Sequence, residues 1–527
     1  MLNMFDLVFR NAEVIDGTGA PTQHTDVAVH NGKIVCVGPV EERGRVEYDC
    51  TGLVLAPGFI DAHTHSDVQL FPDPSRLCKL RQGVTTEVGG NCGHSISPLA
   101  NPVNPVYAKF AGFSKDSTFC YTYEQLLAAQ AAQRPGCHQL TFVGHKPLRG
   151  SVMGMDDREP TAAELEQMKE LLDQAMKQGA PGFSTGLVYA PSCYCKTEEI
   201  IELCKVVAKY NGIYTTHMRN EADGLLDSVA EAVRVAREAG VQTHISHLKV
   251  MYEKNRHLLP RALELIEQAN AEGCRVTFDV YPYDACSASY LSTLPPSYLS
   301  HGIDWLVEEL STAEGVARLE KAITEPTEQW ENPLLNAGFD KDLLCIVSQT
   351  PDAVGKTYHD YAVEHGMTDV EAYAYIISKN GGFGQDIRFL MSEDDLAMLY
   401  ANPLCVVGTD GLYTGTQTCT HPRGLATFPR YLARFIREQK VLSLEEGVRR
   451  ITGLPADLFR LSGKGYIKEG YDADLTLFNK DTIQDHATYT NPFLPNEGIK
   501  AVFVLGQAAV VDNAPTGVYN GTLLTRG

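Results

Sequence analysis

Hydrophobic and polar positions change their period near residue 55 and again near residue 465. Residues 1–50 hold short apolar runs separated by Gly and Asn-Gly turn signals, a pattern that predicts strands joined in antiparallel hairpins. Beyond residue 55, short apolar runs alternate with helical stretches, and residues 465–512 then return to short strands. We therefore expect both ends of the chain to form one small β domain that the middle of the chain interrupts.

Eight short apolar runs in the middle of the chain are candidates for the strands of one parallel sheet. They cover residues 55–62, 84–90, 139–144, 182–187, 212–217, 242–247, 275–281 and 404–409. Helices with clear boundaries separate several of them; Thr161 and Glu164 match a capping box, and helical spacing continues to Gly179. This is the rhythm of βαβ units, and eight strands predict an α/β fold with a (β/α)8, TIM-like barrel.

The same pattern predicts how the chain divides into domains. Residues 1–56 and 462–527 would be the two parts of a small β-sandwich domain, and residues 57–461 would be the barrel. Residues 285–345 separate the seventh and eighth strands and are too long for a plain loop. A segment of this kind is typical of a lid or subdomain, so we expect an insertion there.

Composition and charge narrow the classes of function. The 527 residues include 45 Lys plus Arg against 66 Asp plus Glu, a formal net charge of −21. Such a surface repels phosphate backbones and anionic membranes, and no basic patch offsets it, so we expect neither as a partner. No apolar run approaches the roughly 18 residues of a membrane span, and the N-terminus lacks signal-peptide features, which predicts a cytoplasmic protein. The 14 cysteines are too dilute for a disulfide scaffold.

The strongest chemical signal is Gly58-Phe-Ile-Asp-Ala-His-Thr-His65, where the first barrel strand ends. Residues two apart in a strand point the same way, so His63 and His65 both face the barrel interior. Two imidazoles at the carboxyl end of a barrel strand suit a divalent metal, and barrel enzymes place their active sites at that end. A buried, hydrogen-bonded pair is the alternative, but histidine is scarce, 16 in the chain, which favours a metal.

Four other predicted strands end in residues of the same kind. The second ends at Cys92, the fifth at His217, the sixth at His247 and the eighth at Asp410. Packing alone rarely places ligand residues at so many strand ends. Cys92 is followed by Gly93, and we interpret it as a thiolate ligand, the alternative being a small buried hydrophobe.

Three further residues have predicted roles. The positions of His244 and His247 differ by an odd number, so a regular strand would point their side chains to opposite sides, with His247 as the ligand and His244 against the helix layer.

Asp410 is interpreted as a general acid/base, because a carboxylate beside a metal takes a proton from water and later protonates a leaving amine. A structural aspartate and a further metal ligand are the alternatives. Ser184 lies in a Gly-x-Ser-x-Gly pattern without the strand-elbow-helix frame, so we expect no nucleophile there.

Taken together, these residues resemble the amidohydrolase superfamily, which has a first-strand His-x-His, later strand-end histidines, an eighth-strand Asp and a split β domain. Within the superfamily, the chain is similar to the D-aminoacylases, the N-acyl-D-amino-acid deacylases. The matching stretches, between residue 57 and about residue 475, are Asn91-Cys-Gly93, Gly182-Phe-Ser-Thr-Gly-Leu-Val-Tyr189, Thr216-His-Met-Arg-Asn-Glu221, Ile245-Ser-His247, Asp279-Val-Tyr-Pro-Tyr283, His421-Pro-Arg423 and Thr427-Phe-Pro-Arg430.

The resemblance implies a zinc-dependent hydrolase that cleaves N-acyl-D-amino acids to a carboxylate and a free D-amino acid. It implies that Cys92, His217 and His247 hold the main zinc, and that His63 and His65 line a second, weaker position that shares Cys92. Asp410 would be the catalytic acid/base. The implied substrate-binding residues are Lys249 and Arg423, which engage the substrate carboxylate, and Tyr189 and Tyr283, which form pocket walls.

Two stretches depart from the family's usual pattern. The family reads Ile-Ser-His-His-Lys where Leu248 stands here, and Gly-His-Gly-Ser-Leu-Arg where Gly144-His-Lys-Pro-Leu-Arg149 stands here. Neither change affects a proposed zinc ligand or Asp410. Both can alter the shape of the pocket, and with it the preferred acyl group and side chain.

The net charge of the chain also supports a substrate-binding role for Lys249 and Arg423, independently of the resemblance. An anionic substrate that approaches so acidic a protein needs local cations. An ordinary ion pair with a neighbouring acid is the alternative for each. Two other functions stay open: a cyclic amidase of the hydantoinase or dihydroorotase type, against which Cys92 and Arg423 count, and a metal-free scaffold, against which the complete ligand set counts. The expected partner is a small N-acyl amino acid, and assembly into a homo-oligomer is left open.

Overall fold

The computed structural model describes residues 4–67, 75–112, 119–346, 348–412 and 420–526. The strands in these ranges are β1 (Phe5–Val14), β2 (Gln23–His30), β3 (Lys33–Val37), β4 (Gly44–Asp49), β5 (Val54–Pro57), β6 (Phe59–Asp61), β7 (Val84–Gly89), β8 (His138–Thr141), β9 (Val143–Gly144), β10 (Gly182–Gly186), β11 (Ile213–His217), β12 (Gln242–Ile245), β13 (Val276–Val280), β14 (Cys286–Ser289), β15 (Asp342–Ile346), β16 (Gln385–Arg388), β17 (Cys405–Val407), β18 (Leu475–Phe478), β19 (Ile499–Val504), β20 (Gln507–Val511) and β21 (Ala514–Pro515).

The α-helices in the same ranges are α1 (Leu77–Leu80), α2 (Pro105–Phe110), α3 (Tyr123–Ala131), α4 (His145–Met153), α5 (Ala162–Lys177), α6 (Thr197–Lys209), α7 (Leu225–Ala239), α8 (Leu259–Ala271), α9 (Pro296–Ser300), α10 (Ile303–Glu309), α11 (Ala313–Thr324), α12 (Pro333–Ala337), α13 (Tyr358–His365), α14 (Asp369–Lys379), α15 (Glu393–Ala401), α16 (Arg423–Arg430), α17 (Leu444–Arg450) and α18 (Gly453–Phe459). No helix in the described part of the chain is both long enough and apolar enough to cross a membrane.

Parallel strands form the barrel in the order β6, β7, β8 with β9, β10, β11, β12, β13 and β17. The backbone N–H of Phe142 donates to the Gly89 carbonyl over 3.0 Å and joins the two groups of strands. The N–H of Ala62 donates to the Val407 carbonyl over 3.3 Å, which links the first strand to the last. Strands occupy all eight predicted runs, and the expected (β/α)8 barrel is confirmed.

Helices cover the outside of the barrel with apolar stripes at helical spacing. In α7, the buried residues Leu225, Val229, Ala232 and Ala236 recur every three or four positions and pack in one core with outward-facing residues of the strands. The capping box predicted at Thr161 is present at the start of α5, where side chain and backbone bond reciprocally with Glu164.

Both ends of the chain contribute to one nine-stranded sheet, with the order β21-β20-β19-β18-β5-β1-β2-β3 and with β4 paired to β1. Strand β5 joins the two ends because it is parallel to β1 and antiparallel to β18. Aromatic residues from both ends meet in its core, where the ring centroids of Phe9 and Phe503 are 5.0 Å apart. The expected small β domain formed by both chain ends is thus confirmed, and its strands make one continuous sheet.

The chain between β13 and β17 adds a separate layer with its own apolar core. Its three strands form an antiparallel sheet in the order β14-β16-β15. Most of the predicted insertion at 285–345 lies in β14, β15 and the helices between them, and β16 follows later in the chain. The domain boundaries given above stay a prediction.

Asp474 connects the barrel to the β domain. Its carboxylate accepts hydrogen bonds from Lys464 Nζ at 2.7 Å and from the Leu505 N–H at 2.9 Å, and Nε2 of His138 lies 3.1 Å away. Burial would raise the pKa of Asp474, but His138 and Lys464 outweigh it, and the pKa lies well below its ordinary value. The carboxylate therefore stays ionised and neutralises the buried Lys464.

Asp474→Asn should lower the free energy of unfolding by about 3–5 kcal/mol, because the buried Lys464 loses its charged partner. Asp472→Asn is the matched control: Asp472 also accepts a hydrogen bond from Lys464, at 3.0 Å, but is partly exposed, so its loss should cost under about 1 kcal/mol. Urea unfolding followed by circular dichroism measures both. Because folding lowers the pKa of Asp474, the difference between wild type and variant should exist above about pH 4 and vanish as the pH falls further. Equal losses in the two variants would contradict this role.

Candidate active site and metal centre

The strand-end residues predicted from the sequence lie together at the carboxyl end of the barrel. Sγ of Cys92 is 3.3 Å from Nε2 of His63 and 3.3 Å from Nε2 of His247. Oδ1 of Asp410 lies 3.4 Å from Nε2 of His63 and 3.0 Å from Nε2 of His65. One ligand atom from each of His63, Cys92, His247 and Asp410 falls within 4.8 Å of the others.

His217 completes the cluster on the side of β11. Its Nε2 is buried and has no hydrogen-bond partner among the residues that the structure describes. The His217 ring lies 4.5 Å from the His247 ring, and both belong to a second potential ligand group with Glu221. The nearest carboxylate oxygen, Oε2 of Glu221, is 3.8 Å away. A buried nitrogen without a hydrogen bond beside a thiol and other imidazoles is the arrangement that a bound cation would satisfy.

These distances fit a zinc site. Zinc bonds of about 2.0 Å to nitrogen and 2.3 Å to sulfur at a tetrahedral angle place the two ligand atoms about 3.5 Å apart. Outer hydrogen bonds are present as well: Nδ1 of His63 lies 3.1 Å from Asp279 Oδ2, and Nδ1 of His247 lies 3.0 Å from Glu221 Oε1. A carboxylate behind each imidazole leaves Nε2 free to bind a metal.

Neighbouring charges keep the two key anions of the site ionised. Burial would raise the pKa of the Cys92 thiol, but His63 and His247 outweigh it, and the pKa falls well below its ordinary value. Burial likewise opposes ionisation of Asp410, yet Arg423, followed by His247, holds its pKa well below the ordinary value. A thiolate is the form of cysteine that binds metals, and a carboxylate is the form that accepts a proton.

Three of the clustered residues have left-handed backbone conformations. The φ angles are 52° at Cys92, 36° at His247 and 46° at Asp410. Such angles are uncommon for residues with a side chain and are typical of functional sites. Each of the three lies just beyond its strand, where the turn aims the side chain inward.

The turn at His247 corrects the expectation for His244. Nε2 of His244 lies 2.9 Å from Asp279 Oδ2, so its ring points toward the site network and not into the helix layer. The odd-number argument holds only within a regular strand, and β12 ends at Ile245. His244 and His247 therefore both point inward.

Ser184 supports the turn that carries Cys92. Its hydroxyl donates to the Gly90 carbonyl and accepts the Gly93 N–H over 3.1 Å, so it is engaged in structural bonds. Gly93 has φ 71°, and a Cβ there would lie 2.7 Å from the Gly186 nitrogen. Only glycine fits so close to β10 in this conformation.

Both cations expected at the substrate carboxylate are paired with acids of the protein. Nζ of Lys249 donates to the two oxygens of Glu221, each at 2.7 Å. Nη1 of Arg423 lies 2.8 Å from Oδ2 of Asp410, and its Nη2 donates to the Ser287 carbonyl over 2.9 Å. Burial would raise the pKa of Glu221, but Lys249 outweighs it, and the pKa is about 2.

Two adjoining cavities open beside the cluster. The larger, about 260 Å³, is lined by His65, Tyr189, Asp410 and Arg423 and by residues of the layer between β13 and β17. The smaller, about 30 Å³, is lined by His217, His247 and Lys249 among others. Tyr189 and Asp410 line both cavities, so a ligand in the larger one contacts the cluster around Cys92 through Asp410.

The two tyrosines proposed as pocket walls have different surroundings. Tyr189 lines both cavities, and its hydroxyl lies 3.5 Å from Nδ1 of His217. Tyr283 lines neither of the two cavities described here; it packs 5.1 Å from the His421 ring and beneath the Arg430 guanidinium at 4.8 Å. Tyr281 lines the smaller cavity, with the Arg423 guanidinium 4.7 Å above its ring.

Sequence reasoning gave no role to several residues that the structure brings into the site. Asp279 and Glu221 appeared in the sequence analysis only as members of stretches that resemble the D-aminoacylases. Asp279 lies near the end of a strand, as the predicted ligands do, so its position in the strand could have identified it as a site residue. Ser287 and Lys146 both line the larger cavity. Ser287 comes from the layer between β13 and β17, and no local sequence pattern predicts its contact with Arg423.

Comparison with known proteins places this arrangement in context. Residues 46–510 match the model of the amidohydrolase family. The chain is 34% identical over 514 residues to the N-acyl-D-aspartate deacylase of Alcaligenes xylosoxydans xylosoxydans, which covers 97% of this chain and 93% of that protein. It is 33% identical over 526 residues to the D-aminoacylase of the same organism, with 99% and 98% covered.

Solved structures give a similar result. The crystal structure of the N-acyl-D-glutamate deacylase of Bordetella bronchiseptica has a TM-score of 0.84 and is 30% identical in sequence, and the match covers 100% of both chains. That enzyme is complexed with zinc and with a phosphonate inhibitor that mimics the tetrahedral intermediate of its reaction.

Proposed function

The chain belongs to the amidohydrolase family, and on that premise we propose that it is a zinc-dependent deacylase of N-acyl-D-amino acids. The products would be a carboxylate and a free D-amino acid. The observation that carries the proposal is the cluster of a Cys92 thiol within 3.3 Å of two imidazoles, beside a cavity that also exposes Asp410 and Arg423. The donor set suits zinc, and the cavity offers an acid/base group and a cation for an anionic substrate.

We assign the main zinc position to Cys92, His217 and His247, and a second, weaker position to His63 and His65, with Cys92 shared. Zinc held there would act as a Lewis acid toward the acyl carbonyl and would make a nearby water more acidic. Asp279 and Glu221 orient the imidazoles of His63 and His247 by accepting from their Nδ1 atoms.

Asp410 is the proposed general acid/base. Its carboxylate faces the larger cavity and is ionised in the free enzyme, so it can take the proton of the attacking water as the new C–O bond forms. The same oxygen then donates that proton to the amide nitrogen as the C–N bond breaks. Arg423, 2.8 Å from Oδ2, holds the carboxylate in place and keeps it charged between turnovers.

Arg423 and Lys249 are the proposed anchors for the α-carboxylate of the substrate. Glu221 takes two of the three Nζ protons of Lys249. Nζ of Lys249 also lies 2.6 Å from Nδ1 of His247. An imidazole that binds a metal through Nε2 and donates from Nδ1 to Glu221 cannot accept a proton from Lys249, so in the metal-bound enzyme the third proton would turn to the substrate. With the α-carboxylate held by these cations and the acyl carbonyl held at the metal site, the side chain on the α-carbon can point in only one direction. A pocket that accepts the side chain in that direction would select the D enantiomer.

The layer between β13 and β17 supports the same substrate assignment. It contributes Ser287, Ser289 and Leu291 to the larger cavity, as an insertion over the active site would. A hydantoin has its carboxyl group inside the ring and brings no free carboxylate, so it would leave Arg423 without an anionic ligand; a dihydroorotate keeps a free carboxylate, and against it stands the full-length similarity to deacylases of linear N-acyl amino acids. We therefore favour linear N-acyl amino acids.

The zinc assignment predicts that the purified protein carries about one tightly bound zinc ion per chain. Cys92→Ala should lose that zinc together with activity, because two neutral imidazoles alone bind the ion weakly. Cys204→Ala is the matched control, since Cys204 is a buried cysteine of α6 in the apolar core outside the site. Elemental analysis of the dialysed proteins measures the metal. Full zinc retention by Cys92→Ala would move the site elsewhere.

Asp410→Asn should lower turnover by on the order of 10² to 10⁴, because the amide keeps the shape of the carboxylate but cannot accept the proton of water. Steady-state rates on N-acetyl-D-methionine and zinc content should be measured on the same preparation. Zinc should stay near the wild-type level. Wild-type turnover in the variant would refute the acid/base role, and loss of zinc would instead make Asp410 a ligand.

Arg423→Met should weaken hydrolysis of N-acetyl-D-leucine by roughly 10- to 150-fold in kcat/KM relative to its effect on the corresponding amide, which lacks the α-carboxylate. The acid must be compared with the amide because Arg423 also holds Asp410, and loss of that contact affects the hydrolysis of both substrates alike. Arg430→Met is the matched control, since Arg430 also stacks on a tyrosine but lines neither cavity. Equal losses on acid and amide would remove Arg423 from the carboxylate site. A preference for L enantiomers or hydantoins would refute the D-aminoacylase assignment.

A further inference from the structure

Lys146 lies in the larger cavity, and the reaction described above does not use it. It is the second residue of α4, which begins directly after the barrel strand β9. The side chain is half-buried, with Nζ 5.3 Å from the ring centroid of Phe110, and both residues line the cavity that Asp410 and Arg423 also line. The position is one at which the related family usually has glycine in Gly-His-Gly-Ser-Leu-Arg.

The charge of Lys146 is not neutralised by the described part of the protein. Among the described residues, no aspartate or glutamate forms an ion pair or a hydrogen bond with Nζ of Lys146. By contrast, Lys249 is paired with Glu221, and Arg423 is paired with Asp410. Burial is the cause that lowers the pKa of Lys146, to about 8. The ammonium group is therefore still mainly protonated at neutral pH, but it lacks the anion that buried cations normally have.

The surroundings of Lys146 add to the positive potential. Helix α4 has nine residues, no side-chain cap at its N-terminus and no acidic residue in its first turn, so the positive end of its dipole lies beside Lys146, whose own N–H donates to the Gly93 carbonyl over 3.0 Å. Phe110, Leu291 and Leu299 line the same cavity and lower the local dielectric constant. In such a setting an anion interacts with the lysine more strongly than it would in water.

We propose that Lys146 binds a second carboxylate of the substrate, so that the enzyme prefers N-acyl-D-amino acids with two negative charges. The proposal rests on the proposed deacylase function and specifies its substrate class. The second carboxylate belongs either to the amino-acid side chain or to the acyl group. A substrate with only the α-carboxylate would cover Lys146 and remove its water without replacing the lost interactions, which disfavours that substrate.

Four substrates and four proteins test the proposal. N-acetyl-D-leucine carries one carboxylate; N-acetyl-D-aspartate and N-acetyl-D-glutamate carry a second on the side chain; N-succinyl-D-leucine carries a second on the acyl group. The proteins are the wild type, Lys146→Met, Lys146→Arg and Lys109→Met. Lys109 is the matched control because it is an exposed lysine beside Phe110 that pairs with Asp304 and does not line the cavity.

Wild type should hydrolyse at least one dianionic substrate with kcat/KM about tenfold or more above N-acetyl-D-leucine. Lys146→Met should lose about 10- to 150-fold on that substrate, the range for a charge-assisted bond, and no more than about threefold on N-acetyl-D-leucine. Lys146→Arg should keep most of the preference, and Lys109→Met all of it. The dianion that responds to the substitution identifies the side chain or the acyl group as the source of the carboxylate.

The pH dependence gives a second readout. Among the described residues, the charged or titratable groups that line the cavity with Lys146 are His65, His94, Tyr189, Asp410 and Arg423. They act on all four substrates, so the ratio of kcat/KM between dianion and N-acetyl-D-leucine cancels much of their effect. This ratio should be constant below about pH 8 and fall above it as Lys146 loses its proton, whereas Lys146→Arg should show no such fall.

Two results would overturn the proposal while leaving the deacylase function intact: a wild-type preference for N-acetyl-D-leucine over every dianion, or equal losses on all substrates in Lys146→Met. Zinc content of each variant shows whether the fold and metal site are retained, and Lys146→Arg decides the question if the methionine variant is unstable. If the zinc-loaded wild type hydrolyses none of the four substrates, the proposed function itself fails, and this inference fails with it.

Discussion

One buried carboxylate, Asp279, sets the geometry on which the rest of the site depends. It lies within hydrogen-bond distance of Nδ1 of His63 and Nε2 of His244, and it accepts the backbone N–H of His247. The ends of β6 and β12 are thereby tied to one group on β13. The bond to the His247 backbone stabilises an uncommon left-handed turn, without which the His247 ring would not reach Cys92.

The distribution of charge follows from this constraint. A barrel interior with several imidazoles and a thiol tolerates further ionised groups only when they are paired. Glu221 neutralises Lys249, and Asp410 neutralises Arg423, so each cation next to the cluster is held by an acid that also contacts a histidine. Lys146 departs from this arrangement within the described residues, which is why its position bears on the choice of substrate.

The barrel supplies the reactive groups, and the rest of the chain defines their surroundings. The β domain is joined to the barrel by buried polar contacts such as the one between Asp474 and His138. The layer between β13 and β17 supplies Ser287 and apolar residues to the larger cavity. Chemistry and specificity thus come from different parts of the chain, so pocket residues can vary while the cluster around Cys92 is kept.

The amino-acid sequence by itself determined the strand order of the barrel and the candidate ligands, because strands and helices leave local periods and side chains at parallel strand ends meet at one edge. The two-residue period of a strand holds only as far as the regular strand extends. For that reason the prediction that His244 and His247 point to opposite sides was wrong. Only the tertiary structure decided that Lys249 and Arg423 are paired with acids, that Tyr281 lines the smaller cavity beside the cluster, and that Lys146 faces the larger one without a described partner. These contacts join residues far apart in the chain, and their energies depend on burial that no local pattern encodes.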